Sequence, residues 1–369
     1  MDAADLEPMA RALQLARQGL YSTHPNPRVG CVIVRDGQVV GEGWHQRAGE
    51  PHAEVHALRM AGDRARGATA YVTLEPCSHH GRTPPCAEAL VKAGVSRVVA
   101  AMQDPNPQVA GRGLQRLRNA GIDVVCGVLE AEVRELNPGF IKRMEGGLPF
   151  VRVKLAMSLD GRTAMASGES QWITGPAARA DVQALRARSS VVLTGADTVL
   201  IDGARLTVRA EELRLEPSLA ALALQRPPLR VLIDGRLRVP LEAPFFKAGP
   251  ALVAALDDAE AARYRAAGHE LVALAAHDRV DLPALLAALG ARGANEVLVE
   301  AGPRLAGAFA EQGLVDEYRI YVAAKLLGSS ARPLLELPLE RMAQARELRI
   351  VDMRAVGDDW RITARPLAR

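Results

Sequence analysis

His52-Ala53-Glu54, Pro76-Cys77 and Cys86 are the residues of this chain best suited by type and spacing to do chemistry. One imidazole and two thiolates make three zinc ligands. The fourth tetrahedral position is then open to water, as a catalytic site needs and a structural site lacks. Zinc lowers the pKa of such a water until hydroxide is available near neutral pH. Glu54, two residues from His52, is close enough to carry a proton from the water to a ring nitrogen and a departing amine without binding the metal. Two blander readings compete: a chance pair of buried cysteines, or a structural zinc completed by His79 or His80 of the intervening loop. Consecutive loop histidines usually face solvent, which favours the open site.

Two further segments could face a ligand, Thr23-His24-Pro25-Asn26-Pro27 and Gln103-Asp104-Pro105-Asn106-Pro107. Asn26, Asp104 and Asn106 can read the amide edge of a pyrimidine, although Asn-Pro and Asp-Pro also simply make turns. The second half of the chain is less explicit. No dinucleotide fingerprint is present, because Gly111-Arg112-Gly113 lacks its third glycine. The run Val297 to Gly307 reads as a strand passing through Gly302 into a helix start. The free N–H groups there could hold a phosphate, and a plain strand-to-helix turn fits as well. Cys31 and Cys126 sit in apolar strands and read as core residues.

The elements that must position these groups alternate. Val29 to Val34 and Val39 to Trp44 flank Asp36-Gly37, a two-residue hairpin signal. A helix over 53–66, a strand over 70–74, a helix over 85–93 and a strand over 97–102 follow. Then come a helix after Gly111, a strand over 122–126 and a polar helix over 130–144. This pattern predicts a mixed sheet covered on both faces. Gly146-Gly147 and Pro149 break it and divide the chain into domains 1–146 and 147–369. The second domain again alternates, with strands over 150–156 and near 190–195, 229–234, 251–255, 270–274, 296–300 and 317–323. The stretch 204–228 has no clear period.

A chain of 369 residues exceeds one ordinary core, and 49% hydrophobic with 24% charged residues is the composition of a folded protein. A net charge of +3 without basic runs argues against a nucleic-acid surface. No apolar run is long enough to span a bilayer, and the N-terminus reads as a first helix rather than a signal peptide. Four cysteines, two in one loop, suit a metal site in the reducing cytoplasm.

His-x-Glu followed by Pro-Cys resembles the zinc nucleobase deaminase signature, with eight residues rather than two between the cysteines. The loop PCSHHGRTPPC, with TLE before it and AE after it, is similar to the riboflavin-biosynthesis branch of that superfamily. THPNPRVGCVIV, GEPHAEVHAL, DPNPQVAGRG, KLAMSLDGRTA, SGESQWIT, LTGADTVLIDG, LTVR and VEAGPRLAG extend the resemblance to within about 30 residues of the end, matching the bifunctional deaminase/reductase family. The resemblance implies an α/β chain of two three-layer α/β/α domains, the first cytidine-deaminase-like and the second dihydrofolate-reductase-like. It implies one Zn2+ per chain and NADPH.

By the same resemblance, Asn26, Arg82, Asp104 and Asn106 hold the base and phosphate of a small phosphorylated pyrimidine. Ala156, Trp172, Thr198, Asp202, Gly302, Pro303, Arg304, Leu305, Ala306 and Gly307 contact NADPH. Lys154, Ser170, Arg186, Leu206, Arg209 and Glu300 line the reductase substrate site, with the arginines as natural phosphate partners. Asp160, followed by glycine, either shapes that site or makes a turn. The family continues after Asp202 with an acidic or amide residue and proline, whereas this chain has Gly203-Ala204. Two sites acting in turn suggest a homo-oligomer, a dimer or tetramer. Two rivals are a nucleobase or nucleic-acid deaminase with a non-catalytic second domain, and a binding protein with a structural zinc.

Overall fold

Asp36 and Gly37 both take positive φ, 50° and 75°, so the chain reverses in two residues. β1 (Gly30–Arg35) therefore pairs antiparallel with β2 (Gln38–Trp44). The structure, a computed structural model, describes residues 3–78, 85–107 and 109–367, so Arg82, His79 and His80 lie outside the described residues. The chain forms two compact units that meet in sequence at Gly147 and Leu148.

In the first unit the sheet runs β2-β1-β3-β4-β5, with β3 (Thr69–Val72), β4 (Arg97–Ala100) and β5 (Asp123–Cys126) parallel to one another. Alternation along β1 sorts the two cores. Val32 joins Met9, Leu13, Val133 and Phe140 on one face, while Cys31 and Ile33 join Ala57, Leu90 and Leu117 on the other. The first face is covered by α1 (Leu6–Gln18), α5 (Glu130–Leu136) and α6 (Pro138–Gly146), the second by α2 (Ala53–Ala61), α3 (Cys86–Ala93) and α4 (Arg112–Asn119). The single helix expected over 130–144 is two, because Pro138 has no N–H to continue the ladder and instead opens a new helix at its first position. The helix expected over 53–66 ends as α-helix at Ala61, where Gly62 turns to φ 55°. Cys31 is a core residue, but Cys126 is exposed: it ends β5 at the edge of the sheet, so its expected core role is corrected.

The second unit has a nine-stranded sheet with the order 270–273, 252–255, 229–233, 191–195, 296–300, 150–158, 317–323, 359–366, 348–356. The first seven are parallel and the last two antiparallel. Buried residues of both faces build separate cores, one around Val153, Val299 and Phe309, the other around Leu232, Leu298 and Tyr321. The unit is thus a second three-layer α/β/α assembly. The terminal hairpin, Leu348–Val356 with Asp359–Pro366, was not legible, since a register shift between Ile350 and Asp352 interrupts the alternation along its almost wholly exposed outer strand. Across the sheet, Arg152 is buried between Glu296 and Glu317, and Arg319 and Arg365 complete the charge balance on Glu317.

Candidate active sites

The C-terminal ends of the parallel strands β3 and β4 open toward a cluster built from four separate loops, where open α/β sheets place ligands. His52 is the N-cap residue of α2 and Cys86 the first residue of α3, so both sit where helix N–H groups favour negative charge. α2 can lie this close to β2 because Gly43 faces it: a Cβ there would stand 2.5 Å from the Ala53 carbonyl oxygen. His52 Nδ1 is 3.2 Å from Cys86 Sγ and 3.6 Å from Cys77 Sγ. All three ligand atoms lie within 4.8 Å of one another. Atoms bound at about 2.0–2.3 Å to one tetrahedral ion stand about 3.5–3.8 Å apart, so the set fits zinc with little movement.

The electrostatics suit a bound cation. Glu54 is buried, its Oε2 has no hydrogen-bond partner among the described residues, and burial pushes its pKa up to about 7. The two thiols share one negative charge. Hydrogen bonding from Cys86 and from the His52 ring pulls the Cys77 thiol down to about 4, and the same contact pushes Cys86 up. A divalent ion would take both as thiolates and relieve the carboxylate.

Beside the metal ligands, Asn26 Nδ2 stands 3.0 Å from His45 Nε2, and His45 Nδ1 lies 3.2 Å from the Pro51 carbonyl oxygen. A carbonyl only accepts, so the Nδ1 nitrogen carries the proton and Nε2 accepts from the amide. Burial holds the His45 pKa near 4 and keeps the ring neutral. With its amide nitrogen engaged, Asn26 offers its carbonyl oxygen to a ligand. His45, which directly follows β2, was not among the residues expected at this site. Asp104 accepts the Asn106 N–H at 2.8 Å, the turn geometry that competed with a ligand role.

The reductase residues assemble from distant segments. Lys154, on the 150–158 strand, is in register with Glu300 on the neighbouring strand. Arg186, from the Pro176–Arg188 helix, grips Glu300 with two bonds of 2.6 and 3.0 Å and the Thr207 carbonyl with a third at 2.9 Å. Burial opposes the charge on Glu300, but Arg186 outweighs it and holds the carboxyl below its ordinary range. Burial and the Arg186 charge also lower the Lys154 pKa against the opposing pull of Glu300 and Asp202. Ser170 donates to Asp202 at 3.0 Å, joining one expected substrate residue to one expected cofactor residue. Leu206 is buried with φ 56°, a strained setting beside them. Arg209 is half-buried and ion-paired to Glu212 at 2.9 Å, with its Nε buried.

Thr198 and Asp202 belong to the Ala196–Asp202 helix, and Gly203 ends that helix in the left-handed region at φ 60°. The departure from the family's sequence is therefore a helix cap that glycine adopts without strain. Ala156 lies on the 150–158 strand, and Trp172 is exposed under the Arg179 guanidinium, 4.5 Å from its ring centre. Gly302 caps the Pro303–Glu311 helix without a side chain on its first N–H groups, and that helix carries Arg304, Leu305, Ala306 and Gly307. Asp160 lies in a turn that the Gly161 N–H closes onto the Ser158 carbonyl oxygen, and its carboxylate accepts the N–H groups of Leu327 and Gly328, tying that turn to a distant loop.

Residues 149–362 match the family model described as the RibD C-terminal domain. The chain belongs to the RibD family. Residues 3–102 match a second model, the cytidine and deoxycytidylate deaminase zinc-binding region, which contains His52, Glu54, Cys77 and Cys86. The RibD protein of Escherichia coli K12 is 56% identical over 95% of this chain and 96% of its own length. That of Bacillus amyloliquefaciens is 41% identical over 97% and 95%. Among solved structures, Acinetobacter baumannii RibD aligns with TM-score 0.91 at 48% identity, over 99% of both chains. A Thermotoga maritima diaminohydroxyphosphoribosylaminopyrimidine deaminase/5-amino-6-(5-phosphoribosylamino)uracil reductase aligns with TM-score 0.85 at 35% identity, also over 99% of both. Like other RibD proteins, this chain is a bifunctional riboflavin-biosynthesis enzyme, a zinc deaminase joined to a reductase. No helix among the described residues is long and apolar enough to cross a membrane.

Proposed function

We propose that the first unit hydrolyses the ring amine of 2,5-diamino-6-(5-phosphoribosylamino)pyrimidin-4(3H)-one. The second unit then reduces the ribosyl chain of the resulting uracil with NADPH to give 5-amino-6-(5-phosphoribitylamino)uracil. The observation that carries the reading is the convergence of His52, Cys77 and Cys86 beside the buried carboxylate of Glu54, whose Oε2 has no hydrogen-bond partner among the described residues. Zinc, when bound by these three ligands, supplies a water acidic enough to attack near neutral pH. Glu54 accepts one proton of the attacking water and gives it to the ring nitrogen, then takes the remaining hydroxyl proton of the adduct and gives it to the amine, which leaves as ammonia while the carbonyl forms. Asn26, held by His45, and the Asp104–Asn106 loop orient the base, and Arg82 is assigned to the phosphate.

NADPH, when bound, supplies the hydride. The Gly302–Gly307 helix start, Asp202, Thr198, Trp172 and Ala156 would hold it, since the first N–H groups of that helix lack a side-chain cap among the described residues. Reduction of a ring-opened, imine-like C1′ also requires a proton on the amine nitrogen. Lys154, with its pKa lowered by burial, is the donor in this reading. Glu300, held by Arg186, attracts the ammonium, Ser170 and Leu206 shape the pocket, and Arg186 and Arg209 are the partners for the phosphate. The enzyme is assigned to the cytoplasm and to a homo-oligomer, the latter supported by exposed Ile350 and Met353 on the outermost strand.

Two assays on one preparation test the reading, amine release from the diaminopyrimidine and NADPH oxidation with the deaminated product. A zinc chelator should abolish the first and leave the second. No NADPH oxidation by the untreated enzyme would mean that the second unit has been misassigned.

A further inference from the structure

Glu75, immediately before Pro76-Cys77, is 3% exposed, and its carboxylate meets only backbone amides among the described residues. Oε2 accepts the N–H of Asp104 at 3.1 Å and of Gly111 at 2.9 Å. Oε1 accepts the N–H of Gly113 at 2.7 Å and of Leu114 at 3.2 Å. Gly111, the N-cap of α4, has no side chain to satisfy that helix's first donors, so a carboxylate from another loop does it. The contact is close because residue 113 is glycine: a Cβ there would stand 1.9 Å from the Pro76 carbonyl oxygen. Glu75 N–H also donates to the Met102 carbonyl at 3.0 Å. One side chain thus joins the loop that ends in the metal ligand Cys77, the loop that begins at Asp104, and the start of α4.

We infer that Glu75 is a positioning residue for deamination, holding the base-reading segment Asp104–Asn106 at a fixed distance from the metal ligands. The inference rests on the deaminase reading above. A carboxylate suits the place because all four partners donate. An amide of the same shape would turn an NH2 group toward two N–H groups and push the Asp104 loop away from Cys77. The metal ligands themselves would stay where α2 and α3 hold them. Misplacing the base relative to the attacking water weakens substrate binding and the reaction together.

The test is Glu75→Gln in the full-length, zinc-loaded enzyme, assayed for deamination of the diaminopyrimidine and for NADPH oxidation with the deaminated product, beside the unaltered enzyme. The expected result is one zinc per chain, a deaminase KM raised about tenfold or more with a smaller fall in kcat, and unchanged reduction. A purely structural role would lower the melting temperature and leave KM unchanged below it, and that result would overturn the inference. Glu75→Asp, whose carboxylate stops one methylene short, should raise KM in the same sense by less; if Glu75→Gln does not fold, it carries the same test with the same overturning result. Combined with Asn106→Ala, Glu75→Gln should raise KM by less than the product of the separate effects, whereas independent effects would contradict action through the loop. If the unaltered enzyme releases no amine, the deaminase reading itself has failed, a result distinct from an active enzyme indifferent to Glu75.

Discussion

The two candidate sites solve the problem of buried charge in opposite ways. In the first unit the protein leaves its polar groups incomplete: Glu54 is buried with an unpartnered oxygen, and two thiols compete for one proton. In the second the protein matches its own charges, as Arg186 grips Glu300 and Ser170 donates to Asp202. A buried group without a partner is costly, so the first arrangement calls for a cation. The Arg186–Glu300 pair needs no metal to complete it. The comparison teaches that removing the metal should switch off one site and spare the other.

The largest test of that contrast is Cys77→Ser. Amine release should fall by about a thousandfold or more, since the open metal site loses a ligand, while NADPH oxidation with deaminated substrate stays within assay error. Next, Lys154→Met should lower the rate of NADPH oxidation by about a hundredfold with deamination untouched. An unaltered rate would remove Lys154 as the proton donor.

Arg186→Met probes the matched charges through stability. It leaves the nearly buried Glu300 carboxylate without its guanidinium, so the second unit should lose about 3–5 kcal/mol in urea unfolding. Adding Glu300→Gln should restore part of that loss, which separates the cost of an orphaned charge from the cost of lost packing. The smallest effect is a pH slope. Burial opposes ionisation of Glu317, but Arg152 and Arg319 outweigh it and depress its pKa from 4.5 to about 2. Its folded-state pKa lies below the unfolded one, so its contribution is complete above about pH 4.5 and disappears as pH falls toward 2. Thermal melts across that window should show the second unit losing stability, with a shallower slope in Glu317→Gln.

What could be read in advance follows from distance along the chain. The Cys86 ligand is 34 residues from His52, and each ligand adjoins a recognisable helix start or turn, so residue types pointed to a catalytic metal site, while the unusual eight-residue gap between the cysteines was read through the loop's resemblance to a family. The hairpin at Asp36-Gly37 was legible because that dipeptide supplies positive φ. In the second unit Arg186 and Glu300 are 114 residues apart and meet only through sheet order, which no local pattern encodes, so resemblance alone pointed to them. His45 was missed for a related reason, since its role depends on a neutral ring placed between Asn26 of another loop and the Pro51 carbonyl oxygen of its own. The terminal hairpin escaped because a register shift between Ile350 and Asp352 breaks the alternation that marks a strand.

The central claim is that proton transfer by Glu54, beside a metal held by His52, Cys77 and Cys86, drives deamination in a site separate from the reductase. Glu54→Gln, with zinc content, amine release and NADPH oxidation measured on one preparation, tests it most directly. The account predicts one zinc per chain, amine release lowered by at least about a hundredfold, and full NADPH oxidation with deaminated substrate. Amine release at the unaltered rate would contradict it.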